Sequence, residues 1–261
     1  MMPRRRVLRL GLVGAGRWGL TLARVISSLP DLTLVAVCAR NSGAGTLFPD
    51  ARMVRNWELL FELELDGVIV ATPPCQHAGP ALGAIERGLP VLIEKPMTSS
   101  LESACSLVEA ARDHEAVVMV DHTQLYAPGI VALRARLRDL GSAAKLVMHA
   151  GGWGPFRKGQ SVLWDWGSHE IALALDLSES STLIVESVAC GSWETAKGDC
   201  AETAELSLRS PVNGCDVRIR VSNGMPGKER TLEAVVAGTK LTYKEYPRPR
   251  VYEVTSESGQ V

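Results

Sequence analysis

The chain has 261 residues, 46 % hydrophobic and 22 % charged, with a formal net charge of −1. That length is long for one core and comfortable for two. The charge balance gives no electrostatic case for nucleic acid or an anionic membrane as partner. No run approaches the roughly 18 apolar residues of a membrane span. Arg9 and Arg17 interrupt the apolar stretch that a targeting signal behind Arg4-Arg5-Arg6 would need. A cytoplasmic protein is therefore expected. The six cysteines (Cys38, Cys75, Cys105, Cys190, Cys200 and Cys215) include no C-x-x-C pair and no metal-like grouping. Buried, reduced thiols and no metal site are expected.

The first element reads as an apolar strand, 7–13. It runs into Gly14-Ala15-Gly16-Arg17-Trp18-Gly19, and helical periodicity follows over 18–28. This G-x-G-x-x-G, set between strand and helix, builds a pyrophosphate site from backbone alone. Gly14 allows the tight turn, Gly16 lets the chain approach the phosphates, and Gly19 lets the helix pack close to the sheet. The free N–H groups and dipole of the helix start then face the anion. A second strand, 32–39, ends where NAD sites place an acidic residue on the ribose hydroxyls. Here Ala39 is followed by Arg40, Asn41 and Ser42. A guanidinium and a hydroxyl suit a 2′-phosphate, so NADP(H) is expected over NAD(H).

A short strand at 52–54 and a short helix at 57–63 come next. Strands at 67–71, 90–94 and 117–121 then alternate with helices at 77–87 and 101–114. Strands apolar throughout, alternating with helices, predict a doubly wound parallel sheet covered on both faces. The character changes near residues 121–126. A helix at 128–140 and a strand at 145–150 lead to the Trp/Gly-rich stretch 151–167 and a helix at 168–177. Strands are expected at 182–190, 204–209, 217–221, 231–236, 241–246 and 251–254, separated by turn residues. The expectation is α/β: a Rossmann domain over 1–121 and an α+β domain over 122–261, built on a mostly antiparallel open sheet.

Three further segments narrow this. They are Ala71-Thr72-Pro73-Pro74-Cys75-Gln76-His77-Ala78, Glu94-Lys95-Pro96-Met97-Thr98, and Trp164-Asp165-Trp166-Gly167-Ser168-His169-Glu170-Ile171. With the glycine motif, and with Asp121 to Pro128 as the crossover, they resemble the Gfo/Idh/MocA family of glucose–fructose oxidoreductase, inositol dehydrogenase and relatives. The resemblance covers about residues 5 to 177. It implies a pyridine-nucleotide oxidoreductase acting on a sugar, polyol or sugar derivative, with no nucleic-acid or membrane partner. It also implies a homodimer or homotetramer formed through the second domain's sheet. About 84 residues follow Leu177, fewer than many relatives carry there.

The resemblance implies that His169 is the proton-transfer residue and that Asp165 binds substrate or orients the imidazole. On a helix their spacing of four puts both on one face. Imidazole accepts or donates a proton near neutral pH. Lys95, just past the C-terminal end of a central strand, is expected beside the nicotinamide, where an ammonium stabilises a developing alkoxide. Pro96 restricts Lys95 to extended backbone. Expected cofactor contacts are Gly14, Gly16, Arg17, Trp18, Gly19, Arg40, Asn41, Ser42, Thr72, Pro73, His77, Glu94 and Lys95. Expected substrate contacts are Lys95, Tyr126, Trp153, Arg157, Asp165 and His169, with Trp153 stacking on a ring and Arg157 and Lys158 meeting an anionic group. Two alternatives accompany this reading. One is reduction of a C=N or other unsaturated bond on the same scaffold; the other is a nucleotide-bound regulator without turnover.

Overall fold

The structure is a computed structural model that describes residues 6–40, 46–157 and 159–255. By internal packing the chain divides into two compact units, Met1–Asp121 and His122–Val261.

The first unit is built largely from βαβ units. Strands β1 (Leu8–Val13), β2 (Leu32–Cys38), β3 (Arg52–Val54), β4 (Gly67–Val70), β5 (Val91–Glu94) and β6 (Val118–Asp121) form one parallel sheet in the order β3-β2-β1-β4-β5-β6. Helices α1 (Arg17–Ser28), α2 (Ala78–Ile85) and α3 (Leu101–Asp113) provide its crossovers. Alternation along the strands divides the core in two. Leu12, Val37 and Ile69 pack with Ile26 of α1 on one face. Val13, Ala36, Val68, Val70 and Ile93 pack with Ala81, Ile85 and Leu107 on the other. The order reverses between β1 and β4, and open α/β sheets place ligands at such a switch point, beyond the strand C-termini.

Helix α2 begins one residue later than the sequence suggests. A short 3-10 turn, Pro74–Gln76, takes up the start, and His77 caps α2. It ends at Ile85 because Gly88, at φ 66°, donates its N–H back to Ile85 and turns the chain. Trp57, in the 3-10 helix Trp57–Glu62, packs on α2. A Cβ at Gly83 would stand 2.6 Å from its ring, which explains the glycine.

The second unit packs α4 (Pro128–Leu140) and α5 (Ser168–Leu177) on one face of a seven-stranded sheet. Its strands are β7 (Lys145–Trp153), β8 (Ile184–Glu194), β9 (Cys200–Arg209), β10 (Asp216–Ser222), β11 (Gly224–Val236), β12 (Thr239–Lys244) and β13 (Arg250–Thr255), in the order β13-β12-β11-β7-β10-β9-β8. All pairings are antiparallel except β7 with β10. Strands β8, β9 and β11 run longer than their apolar cores suggest, because ladder hydrogen bonds extend through Gly191–Glu194, Cys200–Thr203 and a bulge between Gly224 and Glu229. Inside this unit Arg230 of β11 is clamped by Glu170 of α5 at 2.9 Å and by Glu245 at 2.8 Å. Burial pushes the Glu170 carboxyl up, and Arg230 pulls against it. Removing Arg230 would leave the fully buried Glu170 carboxylate without its cation, at a cost of about 3–5 kcal/mol.

The thiols partly depart from expectation. All six are free, but only Cys38 and Cys215 are buried; Cys75, Cys105, Cys190 and Cys200 are exposed. The four exposed ones sit on a loop turn, a helix surface and the sheet edge, where no packing demands an apolar side chain. No helix among the described residues is long and apolar enough to cross a membrane.

Candidate active site

The glycine motif occupies the turn from β1 into α1. Gly14 has φ 105°, and a Cβ there would lie 2.6 Å from the Ala71 carbonyl oxygen. A Cβ at Gly19 would stand 2.0 Å from the Gly14 oxygen, so only glycine lets α1 start this close to the strand. Gly16 differs: a Cβ there would meet nothing within 4 Å and would project into open space. It lies on a cleft of about 750 Å³ that Gly14, Ala15, Arg40, Thr72 and Pro73 also line. No acidic residue occupies the first turn of α1, so no carboxylate of its own competes for the free N–H groups there. Thr72 adds a buried hydroxyl that makes no hydrogen bond to the described residues. Backbone donors, an open glycine and an idle hydroxyl fit a dinucleotide pyrophosphate.

At the other end of the cleft the Arg40 guanidinium reaches Gln76 Oε1 at 3.2 Å. Asn41 and Ser42 lie outside the described residues. Arg55, Asn56, Trp57 and Glu58 also line the cleft, and sequence reasoning missed them. The available signal was topological: these residues follow β3, which lies beside β2 and ends at the same sheet edge. Arg17 and Trp18 are exposed on the first turn of α1.

His77 is fully buried. Its Nε2 lies 2.7 Å from the Thr72 carbonyl oxygen, and its Nδ1 lies 3.1 Å from that of Pro96 and 3.2 Å from that of Met97. The ring therefore ties the loop after β4 to the turn after β5, and does not itself face the cleft. In that turn Lys95 is half-buried, and its peptide bond to Pro96 is cis. Its backbone N–H donates to Glu94 Oε2 at 3.2 Å. Glu94 is buried beside Asp121, its partner in register on β6. Burial first, and Asp121 second, push the Glu94 carboxyl up to about 7; burial raises Asp121 as well.

In the second unit Leu163–Gly167 forms one π-helical turn that runs straight into α5. Asp165 on that turn is buried, and its carboxylate accepts from Arg157 Nη1 at 3.2 Å. His169, in the first turn of α5, meets the His122 ring edge-on at 5.9 Å between centroids. His122 precedes the short turn Thr123–Tyr126, whose Leu125 carbonyl is held by Arg134 Nη2 at 2.9 Å. Tyr126 is exposed there, and Trp153, exposed at the end of β7, packs edge-on against Phe156. Lys158 lies outside the described residues. Among the described residues no cluster of three or more His, Cys, Asp or Glu is arranged to hold a metal ion.

Comparison with known proteins agrees with this geometry. The family model for Gfo/Idh/MocA, described as an oxidoreductase family with an NAD-binding Rossmann fold, matches residues 8–122. An inositol 2-dehydrogenase from Acidothermus cellulolyticus is 31 % identical over 151 residues, which is 55 % of this chain and 44 % of that protein. The chain is thus matched to less than half of that relative's length. A solved structure of an inferred oxidoreductase from Magnetospirillum magnetotacticum MS-1 is 32 % identical with a TM-score of 0.83, covering 96 % of this chain and 82 % of that one. GenD2 from gentamicin A biosynthesis, solved in complex with NAD, is 25 % identical with a TM-score of 0.80, covering 94 % of this chain and 75 % of that one. Motifs, sheet order and these likenesses agree: the chain belongs to the Gfo/Idh/MocA oxidoreductase family.

Proposed function

We propose that this protein is an NADP(H)-dependent oxidoreductase that passes a hydride between nicotinamide and a sugar, polyol or sugar derivative, nucleotide sugars included. The observation that carries the reading is the glycine-lined cleft. It has open space at Gly16 and the guanidinium-bearing Arg40 and Arg55 in its lining, and the helix whose start carries free backbone donors follows directly on Gly16. Those guanidinium groups favour a 2′-phosphate over a bare ribose hydroxyl. Relatives named inositol 2-dehydrogenase support the substrate class.

When bound, the nicotinamide supplies the redox step. The protein's part is proton handling and orientation. An imidazole nitrogen of His169 takes the hydroxyl proton as the carbonyl forms, and returns it in the reverse direction. The Lys95 ammonium, in the cofactor-binding unit, stabilises negative charge that develops in the transfer. Asp165, with Arg157, fixes the start of α5 and the charge around His169. Trp153 and Tyr126 offer exposed aromatic faces of the kind that stack on sugar rings. In this reading the first unit binds cofactor; the second binds substrate and builds the oligomer.

The test follows cofactor fluorescence with NADPH and NADH against sugars, polyols, nucleotide sugars and imines. Turnover with a carbohydrate and NADP(H) is expected. Turnover with imines alone would move the reading to C=N reduction, and binding without turnover across the panel would make the protein a regulator.

The oligomer has its own support. Every residue of edge strand β8 is exposed, including Ile184, Val188 and Trp193, and a long apolar edge calls for a cover. Sedimentation equilibrium is expected to return a dimer or tetramer that Val188→Asp dissociates. A wild-type monomer at micromolar concentration would contradict this.

A further inference from the structure

At the C-terminal ends of β5 and β6, Glu94 and Asp121 stand opposite each other in register, both nearly buried. Burial and the neighbouring Asp121 carboxyl both act against ionisation of Glu94. Two carboxylates set side by side at a buried ladder position repel, and a proton held by one relieves the repulsion and supplies a donor to the other. The charged groups acting on Glu94 are Asp121, across the ladder, and Lys95, in the following turn; Glu94 is the group acting on Asp121. The Lys95 backbone N–H also donates to Glu94, so the turn that carries the ammonium is fastened to the pair. No part of the proposed hydride transfer uses these two acids.

We propose that Glu94 and Asp121 share one proton and form a charge-setting pair beneath Lys95. The pair carries one negative charge when the proton is held and two when it leaves to solvent. They are positioning residues, acting through the Lys95 turn on whatever charge is bound beside it. The functional half of the proposal rests on the reading of Lys95 as the residue beside the nicotinamide. An oxidised nicotinamide ring is cationic and a reduced one is neutral. Release of the shared proton therefore favours the oxidised cofactor, and binding of the oxidised form drives the proton out. Desolvation and the like charge place that release in the neutral range, where Glu94 is raised to about 7.

Two measurements on the full chain test this. Difference infrared spectroscopy of the cofactor-free protein, titrated from about pH 5.5 to about pH 8.5, follows the carbonyl stretch of a protonated carboxyl. A band that vanishes through about pH 7 in the wild type, and is missing or no longer titrates there in both Glu94→Gln and Asp121→Asn, is expected. No such band in the wild type, or an unchanged band in both variants, overturns the shared proton. In parallel, the affinities for NADP+ and NADPH are measured over the same range. Their ratio is expected to rise in favour of NADP+ by about fivefold in the wild type, the scale of one added charge at several ångströms in a partly screened site. It should stay flat in both isosteric variants, with folding confirmed by circular dichroism. A slope that persists in both variants overturns the coupling. Failure of the Lys95 reading is distinguishable: Lys95→Ala would then keep full turnover while the carboxyl band still titrates.

Discussion

Arg40 stands where a carboxylate would repel a 2′-phosphate, and it reaches across the cleft to Gln76. A charge-assisted hydrogen bond of this kind contributes about 1.5–3 kcal/mol. Arg40→Ala is accordingly expected to weaken NADP(H) by at least about tenfold and to leave NAD(H) nearly unchanged, measured by fluorescence titration of both. Equal loss for both cofactors would show that Arg40 supports the loop and does not read the phosphate. Some of this was legible from the sequence. The strand ending at Cys38 and the cation after it are local features, so Arg40 could be named. Arg55 could not, because its place on the same cleft depends on β3 pairing with β2, a non-local fact. His77 reads as the beginning of a helix beside the cofactor loop. Its burial against three carbonyl oxygens appears only once the turns after β4 and β5 are brought side by side.

Helix α1 and the strand before it form the element on which cofactor binding depends. The three glycines are alike in sequence and unlike in space, and this difference yields a prediction. Gly19→Ala places a methyl 2.0 Å from a backbone oxygen. Helix and strand must move apart, at a cost of about 1–3 kcal/mol typical of overpacking, read as a lower Tm. Gly16→Ala meets no protein atom. It is expected to keep wild-type Tm while weakening both cofactors by about tenfold or more, since the methyl takes space the pyrophosphate needs. Unchanged cofactor affinity in a folded Gly16→Ala protein would contradict the cradle. The spacing of the glycines made this element readable. The π-helical turn at Leu163–Gly167 was not. Its residues show helical spacing, and a one-residue widening leaves no periodic mark in five positions.

For the molecule as a whole, the parallel sheet of the first unit could be anticipated because its strands are mostly apolar and alternate with helices. The seven-stranded sheet of the second unit could be anticipated only as mostly antiparallel. Its one parallel pair, β7 with β10, joins segments some 70 residues apart, and no turn chemistry announces it. The Arg230–Glu170–Glu245 trio was equally hidden, since each residue alone reads as a surface charge. It lies under α5, the helix that carries His169, and so links the stability of this unit to the placement of its imidazole. The central proposal is chemical: Lys95 supplies charge and His169 transfers the proton. Single-turnover kinetics of Lys95→Ala and His169→Ala, with cofactor and the best substrate from the panel, test it most directly. Each variant is expected to slow the hydride step by about a hundredfold or more while binding cofactor as the wild type does; a near-normal rate in either would contradict the account.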